Sequence, residues 1–250
     1  MTLALAAAGA TRLGRTAMGR AGAAARRGTA GLSLLVGALL VAGCVVTPVG
    51  RLDPSMFPAT TGGTAPALAG HVALVLATTL REQVHPGPPG VQEGTRRLNL
   101  PLGLIVETAL QRQLAAAFAG GVQLAAVPPS AGRGFDLGVS VTAAQLQFDS
   151  HLNYMIPVAL PPFFGVIAAS TGYSVRMTLD LRITDAYGRV LAAHTIDTGP
   201  LVEERGLWVA ESGLEFFIRR THVAAWQAAG LAAQAARDAV QAERLRARSL

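Results

Sequence analysis

The clearest pattern in the chain is a strict alternation at residues 173–183. Tyr173, Val175, Met177, Leu179, Leu181 and Ile183 are apolar, and Ser174, Arg176, Thr178, Asp180 and Arg182 between them are polar. A period of two predicts a strand with one face buried and the other wet, which favours antiparallel pairing. Asp185-Ala186-Tyr187-Gly188 reads as a turn, and residues 189–198 as the returning hairpin strand. Upstream, Phe135, Leu137, Val139 and Val141 alternate with polar or small residues. The phase then flips after Ala143-Ala144, so that Leu146 and Phe148 carry the apolar positions. A one-residue flip predicts a β-bulge. Two apolar runs, 71–80 and 122–127, read as shorter strands bounded by Gly and Pro.

Helical spacing appears twice. Between Pro101 and Phe118, Val106, Leu110, Leu114 and Phe118 recur every fourth residue, and Gly120-Gly121 mark the stop. From about Gly213 to the end, Arg220, Gln227, Gln234, Gln241 and Arg248 form a polar stripe, with Phe217, Ala224 and Leu231 on a second face. The order strand, helix, strands, hairpin, long helix predicts an α/β (α+β) fold. Its mixed, largely antiparallel sheet would carry the early helix and the long C-terminal helix on one face.

Two further stretches stand out by composition. Residues 45–67 are rich in Pro, Gly and Thr and read as a flexible tether. Residues 152–175 hold no charged side chain. At the centre of that stretch, Pro157, Pro161 and Pro162 forbid a continuous helix. It reads either as a buried strand and crossover or as an exposed apolar loop with Phe163 and Phe164 at its tip, a possible partner or membrane contact.

Charge sharpens the picture at the N-terminus. All 21 basic residues are arginine, against 15 acids. Arg12, Arg15, Arg20, Arg26 and Arg27 fall before residue 44, where there is no acid, so the remainder is close to neutral and gives no support to nucleic-acid binding. An apolar run, LSLLVGALLVA at 32–42, follows the basic stretch and leads into Gly43-Cys44. This is the layout of an export signal, too short for a stable membrane span. Met18 offers a second start upstream of it.

Leu40-Val41-Ala42-Gly43-Cys44 resembles the lipobox of bacterial lipoproteins. The resemblance implies cleavage between Gly43 and Cys44 and acylation of Cys44, the single cysteine. The protein would then be anchored in a membrane by its lipid. With Val45 rather than Asp after the cysteine, the family's sorting pattern points to the periplasmic face of the outer membrane, with the inner membrane as the alternative. The expected organisation is a signal peptide at 1–43, a lipidated tether at 44–67 and one domain at 68–250. In element order, and in the hairpin ITDAYGRVL at 183–191, the body resembles small α/β envelope lipoproteins of the lipopolysaccharide-assembly, curli-secretion and ABC-auxiliary kinds.

Catalytic motifs are missing from the sequence. His71, His85, His151, His194 and His222 lack metal-ligand spacing, so neither a metal nor a cofactor is expected. His194 shares a strand face with Val190, Ala192 and Ile196, which suits a core or sheet-edge histidine. A hydrolase would need His194, Asp197 and Glu203, the last in a Glu203-Glu204-Arg205 loop, to converge. The expected function is therefore a non-catalytic accessory component of an envelope assembly or transport system, with an envelope protein as partner. The alternative is a module binding a lipid or other apolar ligand.

Overall fold

The computed structural model describes residues 47–59, 66–88, 92–93, 96–129, 134–160, 163–206 and 213–249. The strands are β1 (Thr47–Val49), β2 (Val72–Leu76), β3 (Gln92–Glu93), β4 (Arg96–Leu98), β5 (Val122–Leu124), β6 (Leu137–Leu160), β7 (Phe163–Asp185), β8 (Val190–Asp197) and β9 (Leu201–Gly206). The helices are α1 (Thr78–Arg81), α2 (Leu102–Ala117) and α3 (Gly213–Arg248). The main sheet runs β5-β2-β6-β7-β8, with β9 also pairing along β7. β2 is parallel to both of its neighbours, and every other contact in this sheet is antiparallel. The α/β class and the mixed, largely antiparallel sheet expected above are present, together with a smaller sheet of order β1-β4-β3.

One face of the main sheet is dry. Val175, Met177, Leu179, Leu181 and Ile183 are all buried, while Arg176, Asp180 and Arg182 are exposed on the other face. The alternation at 173–183 is thus the direct record of helices lying on one side. The bulge falls where the phase flips, with a register shift between Val141 and Ala143. In the β7–β8 turn, the Asp185 carboxylate accepts the backbone N–H of Tyr187 and of Arg189, each at 2.9 Å.

α2 starts after Pro101 and packs Leu102, Ile105, Val106, Ala109, Leu110 and Leu114 inward. It ends at Ala117, where Phe118 turns extended while its N–H still reaches the Leu114 carbonyl; Gly121, three residues on, takes φ +84°, a left-handed conformation in which glycine carries no Cβ penalty. Gly120 answers to space instead, since a Cβ there would sit 2.3 Å from the Gly70 carbonyl oxygen.

Three expectations change. The run 71–80 is a strand only to Leu76. Ala77 then donates its N–H to the Val141 carbonyl, and the N–H groups of Leu80 and Arg81 turn back onto Ala77, making α1. The strand at 122–127 ends at Leu124. Finally, Phe217 and Ala224 are buried but Leu231 is 42% exposed. A heptad spacing drifts by about 20° per repeat on a straight α-helix, so two repeats carry Leu231 out of the core face. Alanines take over that face, and Ala228, Ala229, Ala232, Ala233 and Ala236 are all buried. Small side chains let α3 lie close on its neighbours.

The stretch expected to be a tether is partly seated on the body. β1 pairs in parallel with β4, Asp53 caps a 3-10 turn at Pro54–Met56, and Phe57 is 6% exposed within the main core. Further on, the Leu68 N–H reaches the Ala117 carbonyl at 2.9 Å. The remainder of the tether, 44–46 and 60–65, lies outside the described residues.

Candidate functional site

Residues 155–160 and 163–167 form neither a crossover nor a loop. They belong to the two arms of a hairpin. β6 and β7 pair from Leu137↔Asp185 to Leu160↔Phe163, with Pro161 and Pro162 between the arms. β2 accompanies β6 only as far as Val141, β8 covers β7 from Thr178 to Thr184, and β9 reaches back only to Ser170. Beyond those limits the arms have only each other as strand neighbours among the described residues. The six residues 155–160, opposite 163–168, make a two-stranded ribbon about 20 Å long at the usual rise of ~3.3 Å per residue.

The register explains why no period was visible there. Ile156↔Ile167, Val158↔Gly165 and Leu160↔Phe163 share one face; Pro157↔Val166 and Ala159↔Phe164 share the other. Both faces read apolar, so the chain shows a continuous run. Phe163 and Phe164 open β7 at the tip.

The base of the ribbon is braced by aromatic rings. Phe148, on β6, meets Phe217 of α3 edge-on at 5.0 Å between centroids. Tyr173, on β7, lies 5.2 Å from Phe216 and 5.6 Å from Phe217. His85 packs edge-on against Phe148 at 5.5 Å. Glu203 of β9 pairs with Arg219 and Arg220, tying the neighbouring edge to the first turns of α3. The hairpin therefore leaves the body from a base packed on α3.

A second constellation, invisible in the sequence, holds the N-terminal segment. His222 is fully buried in α3. Its Nδ1–H donates to the Ile218 carbonyl at 2.7 Å, and its Nε2 accepts the backbone N–H of Asp53 at 3.2 Å. Phe57 meets the imidazole edge-on at 4.9 Å and lies 5.8 Å from Trp226. Burial holds the His222 pKa below its ordinary value, against smaller opposing effects of the Ile218 carbonyl and the Asp53 charge. The one sequence signal was Asp53-Pro54-Ser55, a capping pattern; its partner lies 169 residues away.

The hydrolase constellation is not assembled. His194 is exposed at the sheet edge, lining a shallow cleft of ≈ 290 Å³ with Asp238, Glu243 and Arg246 of α3. Asp197, three positions further on, falls on the opposite face of β8. Its carboxylate takes both an Nε–H at 2.9 Å and a second N–H from Arg176, plus the Gly199 N–H at 2.8 Å. Glu203 is engaged by Arg219 and Arg220. Other clefts, of ≈ 300 and ≈ 350 Å³, are likewise surface features of mixed polarity. Among the described residues no group of three or more His, Cys, Asp or Glu side chains is placed to hold a metal, and no helix is long and apolar enough to cross a membrane. Gly43 and Cys44 lie outside the described residues.

No protein-family model matches the chain. No curated protein matches it either. Solved structures do resemble it. A Xanthomonas campestris protein of family DUF330 is 13% identical, with a TM-score of 0.44, over 79% of this chain and 99% of its own. A minor lipoprotein from Acinetobacter baumannii is 15% identical, with a TM-score of 0.33, over 71% and 96%. Rare lipoprotein B from Shewanella oneidensis is 12% identical, with a TM-score of 0.34, over 69% and 98%.

Proposed function

We propose that this chain is a bacterial envelope lipoprotein. In this reading residues 1–43 are removed and Cys44 is acylated, anchoring the protein at the periplasmic face of the outer membrane. It serves as a non-catalytic component of an assembly or transport system. It engages a protein partner through the β6–β7 hairpin, with Phe163 and Phe164 at the contact.

The observation that carries the reading is the charge-free ribbon running past the rest of the sheet. Its occupant is argued from its edges. A two-stranded ribbon has unpaired N–H and C=O groups along both outer edges, and each such group costs several kcal/mol in hydrocarbon. Lipid therefore cannot receive it, whereas a protein surface offers pairing partners for the edges and apolar contact for the faces. The lipobox supplies the anchor, since an acylated cysteine carries enough buried methylenes for stable attachment. The clefts described above are open to solvent and of mixed polarity, so they lend no support to the apolar-ligand alternative.

Two tests follow. Cys44→Ala is expected to accumulate as an unlipidated precursor, and normal processing of that variant would contradict the anchor. Phe163→Ser with Phe164→Ser is expected to keep the thermal transition of the parent while losing its co-purifying envelope protein. Retention of that partner, or collapse of the fold, would contradict the docking role.

A further inference from the structure

We infer that residues 47–57 form a releasable strap, held on the body by the neutral form of His222, and that protonating His222 lets the strap go.

Both ring nitrogens of His222 are committed. Nδ1–H donates to the Ile218 carbonyl at 2.7 Å, which leaves Nε2 as the acceptor for the Asp53 N–H at 3.2 Å. Proton uptake turns Nε2 into a donor facing a donor. It also places a full charge where the side chain has no exposure at all. The rings of Phe57 and Trp226 beside it offer no compensating hydrogen bond.

The charged groups around the imidazole come from three elements. On the strap, the Asp53 carboxylate is the one that favours a proton on His222, but it is occupied. It accepts from the Ser55 N–H at 3.0 Å and the Ser55 hydroxyl at 2.7 Å, and Arg51 lies 3.7 Å away. Swinging it onto Nε2–H dismantles the capped turn that presents the Asp53 N–H. On α2, Arg112 stacks over the Phe57 ring at 5.4 Å and donates to the Pro54 carbonyl at 3.2 Å, adding positive charge. On α3 itself, Arg219 and Arg220 pair with Glu203 of β9.

The sign follows from linkage. A released imidazole binds protons near its ordinary value of 6.5, and the docked one does so only at lower pH, because burial dominates. The His222 contribution to docking is therefore fully present above pH 6.5 and is lost as pH falls below it. Leu68 remains pinned, with its N–H on the Ala117 carbonyl and its carbonyl on the Ala119 N–H, so what detaches ends near residue 67.

A consequence for the anchor rests on the lipidation at Cys44 proposed above; the latch itself does not. Docked, the chain has only residues 45 and 46 between the cysteine and β1. Released, it has twenty-odd residues, a coil of roughly 25 Å that lifts the body off the membrane.

The test uses the full chain in detergent with Trp208→Phe, which leaves Trp226 as the remaining tryptophan. Amide exchange, corrected for its intrinsic pH dependence, is read alongside Trp226 emission between about pH 7.5 and about pH 5. The expected result is a loss of protection of about tenfold or more at Asp53 and Met56 and a red shift of Trp226, with α2 amides unchanged. His222→Phe, which removes the acceptor and the titration, is expected to flatten the response; Asp53→Asn, which keeps the backbone donor, is expected to retain it. Three outcomes would overturn the inference: strap protection that stays constant across this range, a response that survives in His222→Phe, or one that vanishes in Asp53→Asn.

Discussion

Phe148 and Phe217 meet with their rings nearly perpendicular, 85° apart, and their centroids 5.0 Å apart. One belongs to the strand that runs out into the hairpin, the other to the helix that covers the sheet. Their contact fixes the point at which the ribbon leaves the body. Phe217 is 3% exposed and also touches Tyr173 and Phe216, so its ring fills a site lined on three sides. Phe217→Ala is expected to destabilise the protein by about 3–5 kcal/mol in chemical denaturation. A loss below about 1 kcal/mol would mean that the base of the ribbon does not depend on this ring.

The end of α2 tests a different kind of constraint. A Cβ at Gly120 meets the Gly70 carbonyl oxygen at 2.3 Å, and both sides of that contact are main chain. Gly121, with φ +84°, has open space around it. Gly120→Ala is expected to cost more than Gly121→Ala, whose penalty is the backbone strain of about 1–2 kcal/mol. Thermal melts of the two variants read the order directly; the reverse order would contradict the close approach.

Acid stability follows from Asp197. Its pKa is lowered to about 2, first by the Arg176 side chain and then by the Gly199 N–H. Because the folded value lies below the ordinary 3.8, this contribution is complete above pH 3.8 and is lost as pH falls from there towards 2. Asp197→Asn is expected to lower the melting temperature slightly at neutral pH and to flatten its fall below pH 4. An unchanged slope in that window would show that other carboxylates carry the acid transition.

The alanine seam of α3 gives a contrast within one helix. Ala232 is fully buried, whereas Leu231 beside it is 42% exposed. Ala232→Leu is expected to cost about 1–3 kcal/mol through overpacking. Leu231→Gln is expected to change stability by less than about 0.5 kcal/mol in the same denaturation measurement. Equal effects would contradict the face assignment.

These contrasts show which features a sequence reading reaches. The strand at 173–183 was legible because helices cover one side of it and water the other, so each side chain reports its own face. α2 was legible for the same reason, and the bulge near Ala143 because it leaves a one-residue phase error. The hairpin arms escaped because both of their faces are apolar, as the pairs Leu160↔Phe163 and Ala159↔Phe164 make plain. A pattern that does not alternate cannot announce a strand. The strap escaped because its strand is three residues long and its anchor, His222, lies far away in the chain. Leu231 was misplaced because a spacing of seven on a helix of 3.6 residues per turn slowly rotates off its face.

The central claim is that the tip of the β6–β7 hairpin docks on an envelope protein. The most direct measurement is in-cell photo-crosslinking from a reactive residue placed at Phe164, with the same residue at the exposed Thr195 on β8 as control. The account predicts one dominant protein adduct from position 164 and none from position 195. Adducts to lipid alone from position 164, or the same protein adduct from both positions, would contradict it.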